Sequence, residues 1–218
     1  MQDRLAEEKE RLLSYLVKEG ILKTPEIIRA FYKVEREKFV LEQYKEYSYA
    51  DTPLPILYSQ TISQPTTIAI MTEALEPKKG NKILEVGAGS GYQAAILAEI
   101  VGDSGKIYTI ERISELVDFA RRNLNNAGYR NVEVYCGDGS IGLREKAPFD
   151  RIIVTACAPK IPNSLIEQLV DGGIMVIPVG PITHIQRLFK IKKEGKRIKT
   201  KDLGFFAFVP LIGREGFK

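Results

Sequence analysis

The segment Leu84-Glu85-Val86-Gly87-Ala88-Gly89-Ser90-Gly91-Tyr92 constrains this chain more than any other. A short apolar run ends in a glycine-rich turn, and a helical stretch over about residues 91–101 follows. The order is strand, tight loop, helix, with glycines that let the backbone turn sharply and approach a ligand closely. The spacing is GxGxG. A dinucleotide fingerprint needs a third glycine where Tyr92 stands, and no Gly-Lys-Ser/Thr closes the turn as in a P-loop. Glu85 sits two residues before the first glycine. A carboxylate there repels a pyrophosphate and suits a cationic centre, such as a sulfonium or an α-amino group.

The rest of the pattern builds a sheet around that loop. Strands are predicted over residues 82–86, 106–110, 132–135, 151–155 and 173–179, with helices over about 91–101, 112–126 and 162–170 between them. Strands alternating with helices imply right-handed crossovers, hence an α/β fold with a mainly parallel sheet. Residues 185–192 and 203–209 flank the polar stretch 193–202 and read as a hairpin, an antiparallel C-terminal edge. Ahead of the sheet, helices are predicted over 4–18, from Thr24-Pro25 (an N-cap and a first-turn proline) through Phe31, and over 66–76. Residues 38–65 lack periodicity but hold many aromatics, which marks a functional loop. The expected organisation is one structural domain, with residues 1–78 packing on a core of residues 79–218.

Two further acids join Glu85. Glu111 ends the second core strand, where a carboxylate accepts hydrogen bonds from ribose hydroxyls. Asp138, in Cys136-Gly137-Asp138-Gly139, follows the third and can accept from an adenine amino group. Acids at successive strand tips line the crevice where open α/β sheets bind ligands, and together they point to S-adenosyl-L-methionine. Thr155 ends the fourth strand beside the expected methyl group, although a threonine in the strand ladder accounts for it equally.

Composition narrows the chemistry. The 218 residues include one histidine, His184, and two cysteines, Cys136 and Cys157. A His/Cys zinc site is excluded, no metal is expected, and a triad on His184 lacks a GxSxG elbow. Both cysteines read as small buried hydrophobes in a reducing, cytoplasmic setting. The net charge of +4 is too small for a nucleic-acid stripe, and no apolar run reaches membrane-spanning length. Glu, at 20 against 8 Asp, and Ile, at 25, are favoured while amides are scarce, which leans towards a heat-adapted source.

The chain resembles the protein-L-isoaspartate (D-aspartate) O-methyltransferase family from about Arg36 to Gly213. The stretches that carry the likeness are Pro53-Leu54-Pro55-Ile56, Gln60-Thr61-Ile62-Ser63-Gln64-Pro65, the glycine loop through Ala95, and Tyr108-Thr109-Ile110-Glu111-Arg112. Gly137-Asp138-Gly139, residues 147–155 and residues 172–180 continue it. The resemblance implies a Rossmann-like methyltransferase domain with extra N-terminal helices. It implies S-adenosyl-L-methionine as donor and the free carboxylate of an L-isoaspartyl residue as acceptor. Ser63 matches the family's active-site serine; Glu111, Asp138 and Gly139 match cofactor-contacting positions. Thr61, Ile62, Ser63 itself, Glu85, Gly87, Ala88, Gly89, Ser90, Gly91, Arg112 and Thr155 are expected around the same cofactor. The chain departs from the family pattern at Leu57-Tyr58-Ser59, where Gly-Tyr-Gly is usual, at Thr66 and at Leu41.

The chemistry agrees with the residues. A carboxylate acceptor has a pKa of about 4 and needs orientation, not a general base. Hydroxyls such as Thr61 and Ser63 serve that purpose, unless the local turn backbone occupies them. Isoaspartyl proteins and peptides are the expected partners, with no nucleic acid or membrane and a monomer favoured. Two other readings stay open: a methyltransferase for RNA or a small molecule, and a non-catalytic cofactor-binding protein.

Overall fold

A computed structural model describes residues 2–182 and 185–218. The expectation for His184 lies outside them. Strands β3 (Lys82–Val86), β4 (Lys106–Glu111), β5 (Val132–Cys136), β6 (Phe149–Val154), β7 (Leu169–Val179), β8 (Gln186–Glu194) and β9 (Arg197–Phe206) form one sheet. Among the described residues its order is β5-β4-β3-β6-β7-β8-β9. Pairing is parallel from β5 to β7 and antiparallel from β7 to β9. The chain starts at β3, winds outward through β4 and β5, then returns to β6 on the other side of β3. The carboxyl end of β3 is therefore the topological switch point, where such sheets open a crevice.

The inner strands are buried on both faces, which their continuous apolar runs dictate. On one face Ile83, Ile107, Ile153 and Val176 pack in one core with helices α1 (Gln2–Lys18), α2 (Pro25–Lys33), α3 (Pro65–Leu75), α4 (Tyr92–Val101) and α5 (Ser114–Asn126). On the other, Leu84, Ile110, Ile152 and Met175 meet Leu165 of the short α6 (Asn163–Glu167) and Leu211. Each such side chain contributes about 1.5–3 kcal/mol on burial. The irregular segment is ordered by 3-10 turns and by the two-residue strands β1 (Leu54–Pro55) and β2 (Thr61–Ile62).

Several expectations are corrected. The polar stretch 193–202 is not a long hairpin tip: β8 and β9 run through it and turn at Gly195-Lys196. It reads polar because β9 is the sheet edge, and its outward lysines deter further strand pairing. The helix predicted over 162–170 is cut short because Leu169 already enters β7. Thr24 stands at the N-cap position but makes no side-chain cap; its hydroxyl donates to Glu73 Oε2 at 2.7 Å. Cys157 is buried, whereas Cys136 is exposed at the tip of β5.

Candidate active site

A crevice of about 700 Å³ opens at the switch point. Its floor is the glycine loop after β3; its walls are residues 60–68, the tips of β4 and β6, and the segment 205–212. That last segment runs beside the end of β6, with Cys157 N donating to Val209 O (2.8 Å) and Leu211 N donating to Cys157 O (2.7 Å).

The loop's shape depends on its glycines. Gly87 has φ 98°, and a Cβ there would lie 2.3 Å from Thr155 Oγ1. Thr155 is the reason: its hydroxyl sits between the carbonyls of Val86 (3.0 Å) and Gly87 (2.9 Å) and pins the loop. Gly89 N donates to Glu111 Oε2 at 3.2 Å. Gly91 does not face the crevice; its missing side chain leaves room for Leu124, whose Cγ would stand 3.0 Å from a Cβ.

Glu85 is fully buried on the central strand, yet lines the crevice. Neither carboxylate oxygen has a hydrogen-bond partner of ordinary geometry among the described residues, and neither has Thr109 Oγ1 opposite it on β4. Burial pushes the Glu85 carboxyl up to about 8; the Thr109 hydroxyl opposes that shift and Glu111 adds to it. Once ionised, a carboxylate so placed is costly unless something cationic meets it.

Glu111 also lines the crevice, with Oε1 accepting from Arg112 N (2.9 Å) and Ile113 N (3.1 Å). It braces the glycine loop while keeping a face towards the cavity. Asp138 is held within the fold. It is absent from the crevice wall: Oδ1 accepts from Ser140 N (2.9 Å) and Ser140 Oγ (2.6 Å), and Oδ2 accepts from Arg214 N at 2.7 Å. Its carboxylate clasps the C-terminal segment, and Gly139 lines the cavity in its place. Burial raises the Asp138 pKa, but the bonds from Ser140 and Arg214 outweigh it and leave the carboxyl below its ordinary value.

Thr61, Ile62 and Ser63 line the opposite wall, with Ala88, Ser90, Arg112 and Thr155 also on the surface of the cavity. Among the described residues the hydroxyls of Thr61 and Ser63 make no hydrogen bond, so local turn backbone does not occupy them. The departure at residues 57–59 has a backbone signature. Tyr58 and Ser59 both have φ 56°, the left-handed region that favours glycine.

The family model described as Protein-L-isoaspartate(D-aspartate) O-methyltransferase matches residues 7–216. The chain belongs to this family. A protein-L-isoaspartate O-methyltransferase of Staphylothermus marinus is 49% identical over 225 residues, covering 100% of both chains. One of Methanopyrus kandleri is 51% identical, covering 96% of this chain and 93% of its own. A solved structure of a Plasmodium falciparum beta-aspartate methyltransferase in complex with S-adenosyl-L-homocysteine superposes with a TM-score of 0.81 at 26% identity. It covers 93% of this chain and 97% of its own. The family methylates with S-adenosyl-L-methionine, and the crevice has the donor set for it: a glycine cradle, a buried acid with no counter-ion among the described residues, and a second acid one strand over.

Some residues of the site were silent in the sequence. Arg36 and Asp51 carry no motif of their own, and Thr109 sits inside a matching stretch without a role assigned to it, yet each shapes the crevice from behind. Asp51 accepts from Thr66 N (2.9 Å) and Thr66 Oγ1 (2.7 Å) and so ties the irregular segment to the start of α3. Phe206, Phe208 and Leu211 reach the cavity only because the chain folds back from the sheet edge.

Proposed function

We infer that the protein transfers a methyl group from S-adenosyl-L-methionine to the free carboxylate of L-isoaspartyl and D-aspartyl residues in damaged proteins. The observation that carries this is Glu85, a buried carboxyl with no counter-ion among the described residues, on the floor of a glycine-cradled crevice in a chain of this family. When bound, the cofactor supplies an electrophilic methyl on a cationic sulfur. An acceptor carboxylate oxygen forms the new O–C bond as the C–S bond breaks; the electron pair stays on sulfur, leaving S-adenosyl-L-homocysteine and a methyl ester. No proton moves, so no base is needed. Methoxide is a far better leaving group than the oxygen of a free carboxylate: the neighbouring backbone nitrogen attacks the ester carbonyl, its proton and the methoxy group leave as methanol, and the resulting succinimide is reopened by water, partly to normal aspartate.

In our reading Glu85 faces the cofactor's cationic end and Glu111 its ribose. Asp138, beside the wall that Gly139 forms, turns its remaining Oδ2 lone pair towards the adenine amino group, and the loop from Gly87 to Ser90, closed by Gly91 against Leu124, fits around the cofactor with Gly139 and Arg112. Thr61, Ile62 and Ser63 sit on the acceptor side, and Thr155 fixes the loop between the two. Residues 1–78 then form the acceptor wall and 79–218 the cofactor wall of one domain. We read the protein as a cytoplasmic monomer that binds neither nucleic acid nor membrane. Among the described residues no helix is long and apolar enough to cross a membrane.

The test is labelled S-adenosyl-L-methionine offered with an isoaspartyl peptide, its aspartyl twin and bulk RNA. Base-labile label on the isoaspartyl peptide alone is expected. Label on RNA, or none anywhere, overturns the reading.

A further inference from the structure

Arg36 opens a 3-10 turn within the charged run Glu35-Arg36-Glu37-Lys38, yet its side chain is fully buried. Nε donates to the Ser48 carbonyl at 2.8 Å and Nη2 to the Ser63 carbonyl at 2.9 Å. The guanidinium carbon stands 5.0 Å from the centre of the Tyr92 ring, the first residue of α4 after the glycine loop. One cation thus touches the acceptor wall and the end of the cofactor loop together. Among the described residues Nη1 has no hydrogen-bond partner of ordinary geometry. The groups that act on Arg36 are the phenols of Tyr92 and Tyr49 and the carboxylate of Asp51. Asp51 is engaged elsewhere, by Thr66 and by Gln64 Nε2 at 3.0 Å.

Two carbonyls can be held by a neutral amide. A buried cation without a close counter-ion is a far harder group to accommodate, so its charge calls for an explanation. The crevice supplies one. Glu85 and Glu111 both line it, and the negative charge of Glu111, joined by that of Glu85 once a bound cation ionises it, opposes an anionic acceptor.

We propose that Arg36 is a positioning residue for the acceptor. It fixes the Ser63 backbone and sets a buried positive charge behind that wall, which favours a carboxylate over its uncharged counterpart. This rests on the reading that the acceptor binds beside Ser63.

The test measures binding of an isoaspartyl peptide and of the same peptide with a neutral isoasparaginyl amide, both to the S-adenosyl-L-homocysteine complex. A general loosening of the fold weakens both peptides alike; loss of the charge changes their ratio. Arg36→Met should lower the carboxylate preference roughly tenfold, the order of effect of a unit charge at about 10 Å in an effective dielectric near 20. Arg36→Lys should keep most of the preference. An unchanged ratio in Arg36→Met overturns the proposal. Should that variant not fold, the wild-type complex decides it through carbon-13 NMR of the labelled peptide carboxyl. Its bound pKa should lie below the free value, and a bound pKa above it overturns the proposal. A wild-type protein that binds neither peptide sinks the functional reading instead.

Discussion

Glu85 makes the protein without cofactor less stable as pH rises, and replacing it by glutamine should remove that dependence. The carboxyl stands at about 8 in the folded chain against an ordinary 4.5. Between those values the folded state holds a proton that the unfolded state has lost. Stability contributed by the neutral carboxyl is therefore complete below pH 4.5 and is lost as pH climbs towards 8. The slope is at most about 1.4 kcal/mol per pH unit, so the full span amounts to roughly 5 kcal/mol as an upper bound. Urea denaturation of wild type and Glu85→Gln at pH 5 and pH 8, both without cofactor, reads this directly. The absolute stability of Glu85→Gln matters less than the difference between the proteins, which should move several kcal/mol in favour of glutamine at the higher pH. A difference that is the same at both values refutes the reasoning, because Glu85 would then be ionised despite its burial.

The same group predicts what the cofactor does. A cation placed against Glu85 favours the carboxylate, so binding below pH 8 must expel a proton. Calorimetry in buffers of different ionisation enthalpy should find close to one proton more released per cofactor by wild type than by Glu85→Gln near pH 6.5, and almost no difference between the two at pH 9. The cofactor's own ammonium titrates in this range, since α-amino groups have pKa values of about 8. Glu85→Gln is therefore the control. Equal proton release from both proteins would show that the carboxylate takes no part.

Gly87→Ala should abolish cofactor binding and lower the melting temperature: it combines a positive φ, worth about 1–2 kcal/mol for a residue with a Cβ, with a direct clash on Thr155. Equilibrium binding and a thermal melt check both halves. Asp138→Ala should release the C-terminal segment, exposing the backbone near Arg214 to hydrogen exchange, at a stability cost of about 1–3 kcal/mol. An exchange pattern identical to wild type would mean the clasp contributes nothing. Ser63→Ala should lower kcat on an isoaspartyl peptide while leaving cofactor affinity nearly unchanged, and undiminished turnover would remove the hydroxyl from the mechanism.

What the sequence carried was local. The strand of β3, the glycine turn and α4 follow from apolar run, glycine spacing and apolar helix in direct succession, and the crevice forms at their junction. Glu85 stands out for the same reason: a lone acid inside a buried strand has to be explained. Asp138 was legible as a carboxylate at a strand tip, but its partner Arg214 lies 76 residues away, and no local pattern reports such a clasp. Arg36 was hidden by its neighbours, because Glu35, Glu37 and Lys38 make the run look like a solvated surface. The edge strand β9 failed in a related way. Its polar residues mark it as a loop only if strands are assumed to bury a face, and an edge strand need not.

The shortage of imidazole and thiol in this chain acquires a physical meaning once the charges of the reaction are followed. A sulfonium and a carboxylate react to give a neutral thioether and a neutral ester, so charge disappears along the path. Partial desolvation by Ile62, Ile110 and Phe208 therefore opposes the separated ions more than the transition state. The difficulty lies earlier, in gathering opposite charges on acid-lined ground without quenching the attacking oxygen. Neutral hydroxyls at Thr61 and Ser63, where we place the acceptor, would orient that oxygen weakly. A cation kept out of hydrogen-bonding reach, as Arg36 is, attracts the carboxylate without gripping it. A lysine or arginine placed inside the crevice would bind the acceptor more tightly and, by holding the lone pair that must attack, slow the transfer.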